Sequence, residues 1–176
     1  KTILITGAAG SIGSEIVRQV IQFKPHSIVL VDQGETPLHQ LTLELETIVT
    51  ESNIHSVIAD VRNKEVMRRV FRTYSPQVVY HAAAYKHVPL MEENPSQAIQ
   101  TNVEGTKNVA DLACEFKVKK FVMVSTDKAV NPSNVMGASK RIAEKYVQSL
   151  QLRSVKENNG KGTKFITTRF GNVLGS

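Results

Sequence analysis

Short apolar runs alternate with longer amphipathic stretches along the whole chain. The apolar runs predict strands at 2–6 (TILIT), 27–31 (SIVLV), 54–58, 77–81 (QVVYH), 119–124 (KKFVMV) and 164–169 (KFITTR). Helical patterns fill the gaps at 11–23, 36–51, 63–73, 95–116 and 135–157. Strands this apolar, separated by helix-length segments, predict parallel strands covered on both faces. Crossovers between parallel strands are right-handed, so the expected product is a Rossmann-like, doubly wound α/β sheet in three layers. Such sheets bind ligands outside the carboxyl ends of their strands. The residues just after each strand are therefore the ones to read for chemistry.

After the first strand comes Thr6-Gly7-Ala8-Ala9-Gly10-Ser11-Ile12-Gly13, which opens the first helix. Glycines at 7 and 10 permit a tight turn whose backbone N–H groups approach a pyrophosphate, with Ser11 and Ile12 at the helix N-terminus. Gly13 lets that helix pack closely. After the second strand comes Asp32, 19 residues past Gly13. A carboxylate there accepts both hydroxyls of an adenosine ribose and repels a 2′-phosphate, which favours NAD over NADP; a helix-capping Asp is the plainer alternative. Asp60 and Val61 follow the third strand, suited to an adenine amino group and ring face, or to simple capping. Ala82, Ala83 and Ala84 follow the fourth, small enough for a cofactor to lie on the backbone, or merely tightly packed. The fifth strand ends in Ser125-Thr126-Asp127-Lys128, a hydroxyl, a carboxylate and an amine together. They read as an acid–base centre, against the alternative of a surface ion pair. Twelve residues on is Lys140, and one helical turn before it stands Met136, where a proton-transferring residue would be expected.

Composition narrows the setting. At 176 residues, with 41% hydrophobic and 22% charged content, the chain suits one globular domain. No apolar run approaches the roughly 18–20 residues of a membrane span, and the first residues read as a strand rather than a signal peptide. The single cysteine, Cys114, falls in a helical pattern and is expected in the core. The five histidines make no metal-ligand pair, so no metal is expected. The net charge of +6 is spread over several helices and interleaved with Glu, without a basic stripe, so no nucleic-acid partner is expected. The chain starts on a strand without methionine and ends just after another, and is expected to be a piece of a longer protein.

With these landmarks in order, the chain resembles the extended short-chain dehydrogenase/reductase superfamily. Within it, the resemblance is to nucleotide-sugar 4,6-dehydratases of the capsular-polysaccharide type. It covers essentially the whole chain. The glycine motif is generic; the strings Ala-Tyr-Lys-His-Val-Pro at 84–89 and Ser-Thr-Asp-Lys-Ala-Val-Asn-Pro at 125–132 are far more specific. Further matches are Asp32-Gln33-Gly34-Glu35-Thr36-Pro37-Leu38, Thr101-Asn102-Val103-Glu104-Gly105-Thr106 and Arg169-Phe170-Gly171-Asn172-Val173. The resemblance implies NAD(P)-dependent dehydration of a UDP-N-acetylhexosamine, most often UDP-N-acetylglucosamine, to a UDP-4-keto-6-deoxy sugar. Thr126 would bond the C4 oxygen, Asp127 would protonate the departing C6 hydroxyl, and Lys128 would be the base at C5. Lys140 would hold the nicotinamide ribose and Asn102 would brace the active-site backbone. Lys86 would face the nicotinamide or the substrate. Phe170, Asn172 and Val173 would begin the substrate-binding half.

One position breaks the superfamily pattern. Its Tyr-x-x-x-Lys pair is here Met136 and Lys140, and Tyr146, ten residues on, cannot substitute. Methionine at this place resembles the long, membrane-anchored branch of the family. That implies a cytoplasmic domain of a bacterial inner-membrane protein, anchored only through an N-terminal part outside this chain. Asp127, Lys128 or a water on Lys140 remain the candidates for the first proton transfer. The substrate domain is expected beyond Ser176, so residues 1–176 alone are expected to bind dinucleotide without turnover. A homo-oligomer through helices 95–116 and 135–157 is the superfamily analogy. A nucleotide-sugar epimerase or a non-catalytic dinucleotide module are the alternatives; the adjacent Asp127 and Lys128 argue for elimination over simple epimerisation.

Overall fold

The computed structural model describes residues 1–48, 52–158 and 162–171. Six parallel strands form one sheet in the order β3-β2-β1-β4-β5-β6. These are β1 (Thr2–Thr6), β2 (Ser27–Asp32), β3 (Asn53–Ile58), β4 (Val78–His81), β5 (Lys120–Thr126) and β6 (Lys164–Phe170). Helices α1 (Ser11–Ile21), α2 (Glu35–Glu46), α3 (Lys64–Tyr74), α6 (Thr106–Glu115) and α7 (Val135–Asn158) form the crossovers. The order reverses between β1 and β4, which places a crevice at their carboxyl ends.

Two apolar clusters cover the two faces of the sheet. One joins β2, β4 and β5 to α3, α6 and α7, with Phe71 and Phe121 fully buried; the other joins β1 and β2 to α1 and α2 through Ile5, Val17, Leu30 and Leu45. Each such side chain contributes about 1.5–3 kcal/mol on burial. The interior strand β2 is buried at five successive positions, as a strand covered on both faces must be.

The differences from the expected elements have local causes. Asn63 caps α3 with its side chain, accepting from Val66 N at 3.1 Å, so the helix begins at Lys64. The segment 88–93 forms a helix, α4 (Val88–Glu93), that the apolar pattern does not announce. The expected helix 95–116 is three pieces: α5 (Pro95–Ala98), a π-helical stretch (Ile99–Gly105) and α6. Cys114 is exposed, contrary to expectation, because α6 turns Val109, Ala110, Leu112 and Ala113 inward. Among the described residues, no helix is long and apolar enough to cross a membrane.

Candidate active site

The loop after β1 turns on Gly7, whose φ of +64° only glycine adopts freely. A Cβ on Gly7 would lie 2.6 Å from Ala83 N, so the loop rests directly on the 82–83 backbone. Gly10 caps α1 without a side-chain bond, which leaves the first N–H groups of that helix for an anion. Asp32 Oδ2 accepts from Ala9 N at 3.0 Å and its Oδ1 accepts from Gly34 N at 2.9 Å. The carboxylate is thereby fixed at the loop, with lone pairs left for a diol.

A cavity of about 240 Å³ lies over this end, lined by Gly7, Gly10, Asp32, Asp60, Val61, Ala82, Ala83 and Ala84, among others. Asp60 is not free on its wall: it accepts from Arg62 N at 2.9 Å and Arg62 Nε at 2.7 Å. Burial pushes the Asp60 carboxyl up, but Arg62 holds it below the ordinary value. Thr101 also lines this cavity, and its Oγ1 is buried without a partner among the described residues. An adenosine would fit such a site, since the cavity combines apolar walls, a fixed carboxylate and an unsatisfied hydroxyl.

A second cavity of about 570 Å³ adjoins the first and shares Gly7, Gly10, Ala82, Ala84 and Tyr85 with it. Ser11, Ile12, Gly13, Lys86, Thr126, Lys128, Met136, Lys140 and Phe170 line it too. Lys86 reaches back to α1, its Nζ 3.4 Å from Ser11 Oγ. That puts its charge beside the phosphate loop rather than deep in the cavity.

At the end of β5, Thr126 Oγ1 donates to Asp127 Oδ1 at 2.9 Å and accepts from Lys128 N at 3.3 Å. Asp127 Oδ1 also accepts from Lys128 N at 2.8 Å and lies 3.5 Å from Lys128 Nζ. The Thr126 hydroxyl, followed by the Lys128 charge, holds the exposed Asp127 carboxyl below its ordinary value. Asp127 is thus an anion at rest; it is exposed and does not itself line the cavity, as its neighbours Thr126 and Lys128 do. A Cβ on Gly137 would lie 2.5 Å from Lys128 O, so this glycine lets the first turn of α7 dock against the Thr-Asp-Lys turn.

Lys140 is buried and donates to Val124 O at 2.7 Å. Burial lowers its pKa to about 8, partly opposed by Glu144. Met136 packs with Met91 and Ala98 in a small apolar cluster, so a dry wall stands where the superfamily places tyrosine. Tyr146 is turned away and donates to Asp111. Asn102 grips the Tyr85 backbone at two points, accepting from Tyr85 N at 2.8 Å and donating to Tyr85 O at 3.0 Å. Phe170 is an exposed part of the cavity rim, while Asn172 and Val173 lie outside the described residues.

Sequence reasoning missed Glu144 and His81. Glu144 is fully buried one turn after Lys140, and pairs with Arg169 through bonds of 2.9 and 2.8 Å. A lone Glu on a long helix gives no sign of burial, although Arg169 at the end of an apolar strand was a hint. His81 is also fully buried, at the end of β4.

This sheet order, with a glycine loop after β1, an acidic end to β2 and a Thr-Asp-Lys turn after β5, defines an extended short-chain dehydrogenase/reductase. The chain belongs to the polysaccharide biosynthesis protein family, whose model matches residues 3–176. It is 57% identical to the Staphylococcus aureus capsular polysaccharide biosynthesis protein CapD, covering all of this chain and 28% of that protein. It is 40% identical to a Campylobacter jejuni UDP-N-acetylglucosamine 4,6-dehydratase (inverting), again over the full chain and half of the relative. Among solved structures it matches a Thermus thermophilus UDP-glucose 4-epimerase in complex with NAD. There the identity is 25% and the TM-score 0.77, over 96% of this chain and 54% of that one. The chain therefore spans half or less of the curated relatives it matches.

Proposed function

We propose that this chain is the dinucleotide-binding and catalytic part of an NAD-dependent nucleotide-sugar 4,6-dehydratase. Its substrate is a UDP-N-acetylhexosamine, and its product is the UDP-4-keto-6-deoxy sugar used in surface polysaccharide synthesis. The observation that carries the reading is the Thr126 hydroxyl bonded to an ionised Asp127 beside Lys128, at the edge of the larger cavity. The 4,6-dehydratase relative and the NAD-bound structural neighbour support it.

NAD held by the 7–13 loop and Asp32 would supply a reversible hydride acceptor between C4 and C6 of the sugar. The residues move the protons. Thr126 takes the C4 hydroxyl proton as its own passes to Asp127 along their 2.9 Å bond. Asp127 must begin as an anion to do this, and it does. Now protonated, Asp127 is the acid that the departing C6 hydroxyl requires. Lys128, whose ammonium must first give its proton to solvent, removes the C5 proton, later returns a proton to that carbon and regains its own from solvent. The C4 hydroxyl proton leaves in the water, and both side chains end as they began. Lys140 supplies buried positive charge anchored on Val124 O, and Met136 passes no proton. A simple epimerase would need no acid for a leaving hydroxyl, so the adjacent carboxylate favours elimination. Asp32 favours NAD over NADP, because its fixed carboxylate would repel a 2′-phosphate. Anchorage of the intact protein to the inner face of a bacterial membrane, through a segment outside this chain, belongs to the same reading.

The test is incubation of the intact protein with UDP-N-acetylglucosamine and NAD, with products followed by NMR. A C6 methyl doublet with a C4 ketone is expected, and 4-deuterated substrate should carry its label to C6. A C4 epimer that keeps its C6 hydroxyl would refute dehydration, and NAD binding without any product would leave a sensor module.

A further inference from the structure

Beneath both cavities runs a set of buried polar groups that the proton transfers do not use. His81 Nδ1 lies 2.7 Å from Thr6 Oγ1, and His81 Nε2 lies 2.9 Å from Thr106 Oγ1. Thr106 gives its only hydroxyl proton to the main-chain oxygen of Asn102 at 2.7 Å. Toward His81 it can only accept, which fixes the ring proton on Nε2. Nδ1 is then an acceptor, and Thr6 donates to it. The ring is neutral at ordinary pH, since burial, with the Lys140 charge, lowers its pKa to about 3.

The chain continues through the side chain of Asn102, which donates from Nδ2 to Ser139 Oγ at 2.9 Å. Ser139 in turn donates to Met136 O at 2.7 Å. Every link has one direction, from Thr6 to His81 to Thr106 to Asn102, and from Asn102 to Ser139 to Met136. Thr6, His81, Asn102, Thr106 and Ser139 are all buried. The two ends matter. Thr6 immediately precedes Gly7 of the phosphate loop, and Met136 stands in the first turn of α7 with Lys140 one turn on. Midway, Asn102 lies in the π-helical stretch and clamps Tyr85, which lines both cavities.

We propose that His81 is a positioning residue, the centre of a directional hydrogen-bond chain that holds the phosphate loop and the first turn of α7 at one fixed spacing. It lines neither cavity and acts through Thr6 and Thr106. The proposal rests on the dinucleotide reading of the two cavities. Buried polar networks of this kind are stiff when fully satisfied and costly when one member is lost. A shift of about 1 Å between the two ends is enough to cost on the order of 100-fold in rate.

The experiment uses the intact protein with Thr106→Val, Thr106→Ser and Thr6→Val. Thr106→Val removes the acceptor for His81 and the donor to Asn102 together. It should raise the Kd for NAD about tenfold and lower kcat roughly 10–100-fold, leaving KM for the nucleotide sugar within about threefold. Thr106→Ser should restore both. A lower melting temperature with Kd and kcat unchanged would make the chain merely structural and overturn the proposal. Thr6→Val, which breaks only the outer link, should raise Kd without lowering kcat as far, and covers a Thr106→Val protein that does not fold. Nitrogen NMR of the wild-type ring should show the Nε2–H tautomer at pH 7. An Nδ1–H ring, or one titrating in the ordinary histidine range, would also overturn it. If the wild-type protein forms no 4-keto-6-deoxy sugar, the dehydratase reading fails, yet the Kd comparison still decides the role of His81.

Discussion

Gly13→Ala tests the phosphate loop most sharply, because the structure fixes the size of the clash. A Cβ at Gly13 would lie 1.9 Å from Gly7 O, 2.7 Å from Gly7 C and 3.0 Å from Ala8 Cα, all of them backbone. Reaching an ordinary 3.4 Å contact requires the loop and helix to separate by about 1.5 Å. The loop cannot retreat. Gly7 already rests on the Ala83 backbone, Ala8 N donates to Val31 O at 3.2 Å, and Ala9 N donates to Asp32. Overpacking against backbone costs about 1–3 kcal/mol, and for a domain of this size that lowers the melting temperature by about 2–4 °C per kcal/mol. The displaced N–H groups also lose their aim at a pyrophosphate, so the Kd for NAD should rise on the order of 100-fold. Gly10→Ala is the internal control for stability. Its Cβ would meet only Gly7 O, at 3.3 Å, so its cost should stay within about 0.5 kcal/mol. Scanning calorimetry and NAD titration of both variants supply the readouts. A Gly13→Ala protein that melts with wild type and binds NAD equally well would show that the loop is not held as described.

Three further outcomes follow from the site. Asp127→Asn should slow C4 oxidation in single turnover by on the order of 10²–10⁴ while leaving the Kd for NAD unchanged; a wild-type rate would remove Asp127 from the first proton transfer. Lys140 gives a pH signature: its folded pKa of about 8 lies below the ordinary 10.5, so the fold releases a proton that the unfolded chain keeps. Stability should therefore rise between pH 8 and 10.5, and the advantage of Lys140→Met over wild type should shrink across that window by about 3 kcal/mol, read from paired denaturant titrations. Glu144→Gln should lose about 3 kcal/mol in the same titrations, the low end for a broken buried pair because Arg169 reaches solvent, while Glu144→Leu with Arg169→Met should lose less; equal losses would mean the charge itself is unimportant.

The sheet was legible because each strand carries its own signal. Five successive buried positions in β2 read directly as an apolar run, and the glycine spacing after β1 marked the crevice. The helix over 95–116 was legible in extent but not in form. Nothing in Ile99-Gln100-Thr101-Asn102 announces a π-helical turn, which depends on Asn102 reaching Tyr85 and Ser139 from other elements. Cys114 was misjudged because burial on α6 is decided by which face meets the sheet. The Thr126-Asp127-Lys128 turn stood out by composition alone. Its protonation did not, since the state of Asp127 depends on where the Thr126 hydroxyl points.

On the proposed reading, that hydroxyl would let the site work without the tyrosine. In the superfamily pattern, a lysine lowers the pKa of a phenol, which then takes the proton. Here Met136 lines the cavity and packs behind it on Met91 and Ala98, and offers no group that takes a proton. The neighbouring Thr126-Asp127 turn does. Asp127 is exposed, bonded by Thr126 and beside Lys128, so its charge is stabilised by solvent and partners together. On the proposed dehydratase reading, a base at Asp127 rather than at position 136 would let one group serve twice, first accepting the C4 proton and then giving a proton to the leaving C6 hydroxyl. A phenol of pKa near 10 is a poorer acid for that second step than a carboxylic acid. If the reaction is an elimination, losing the tyrosine would be a coherent change, with Lys140 left to supply charge.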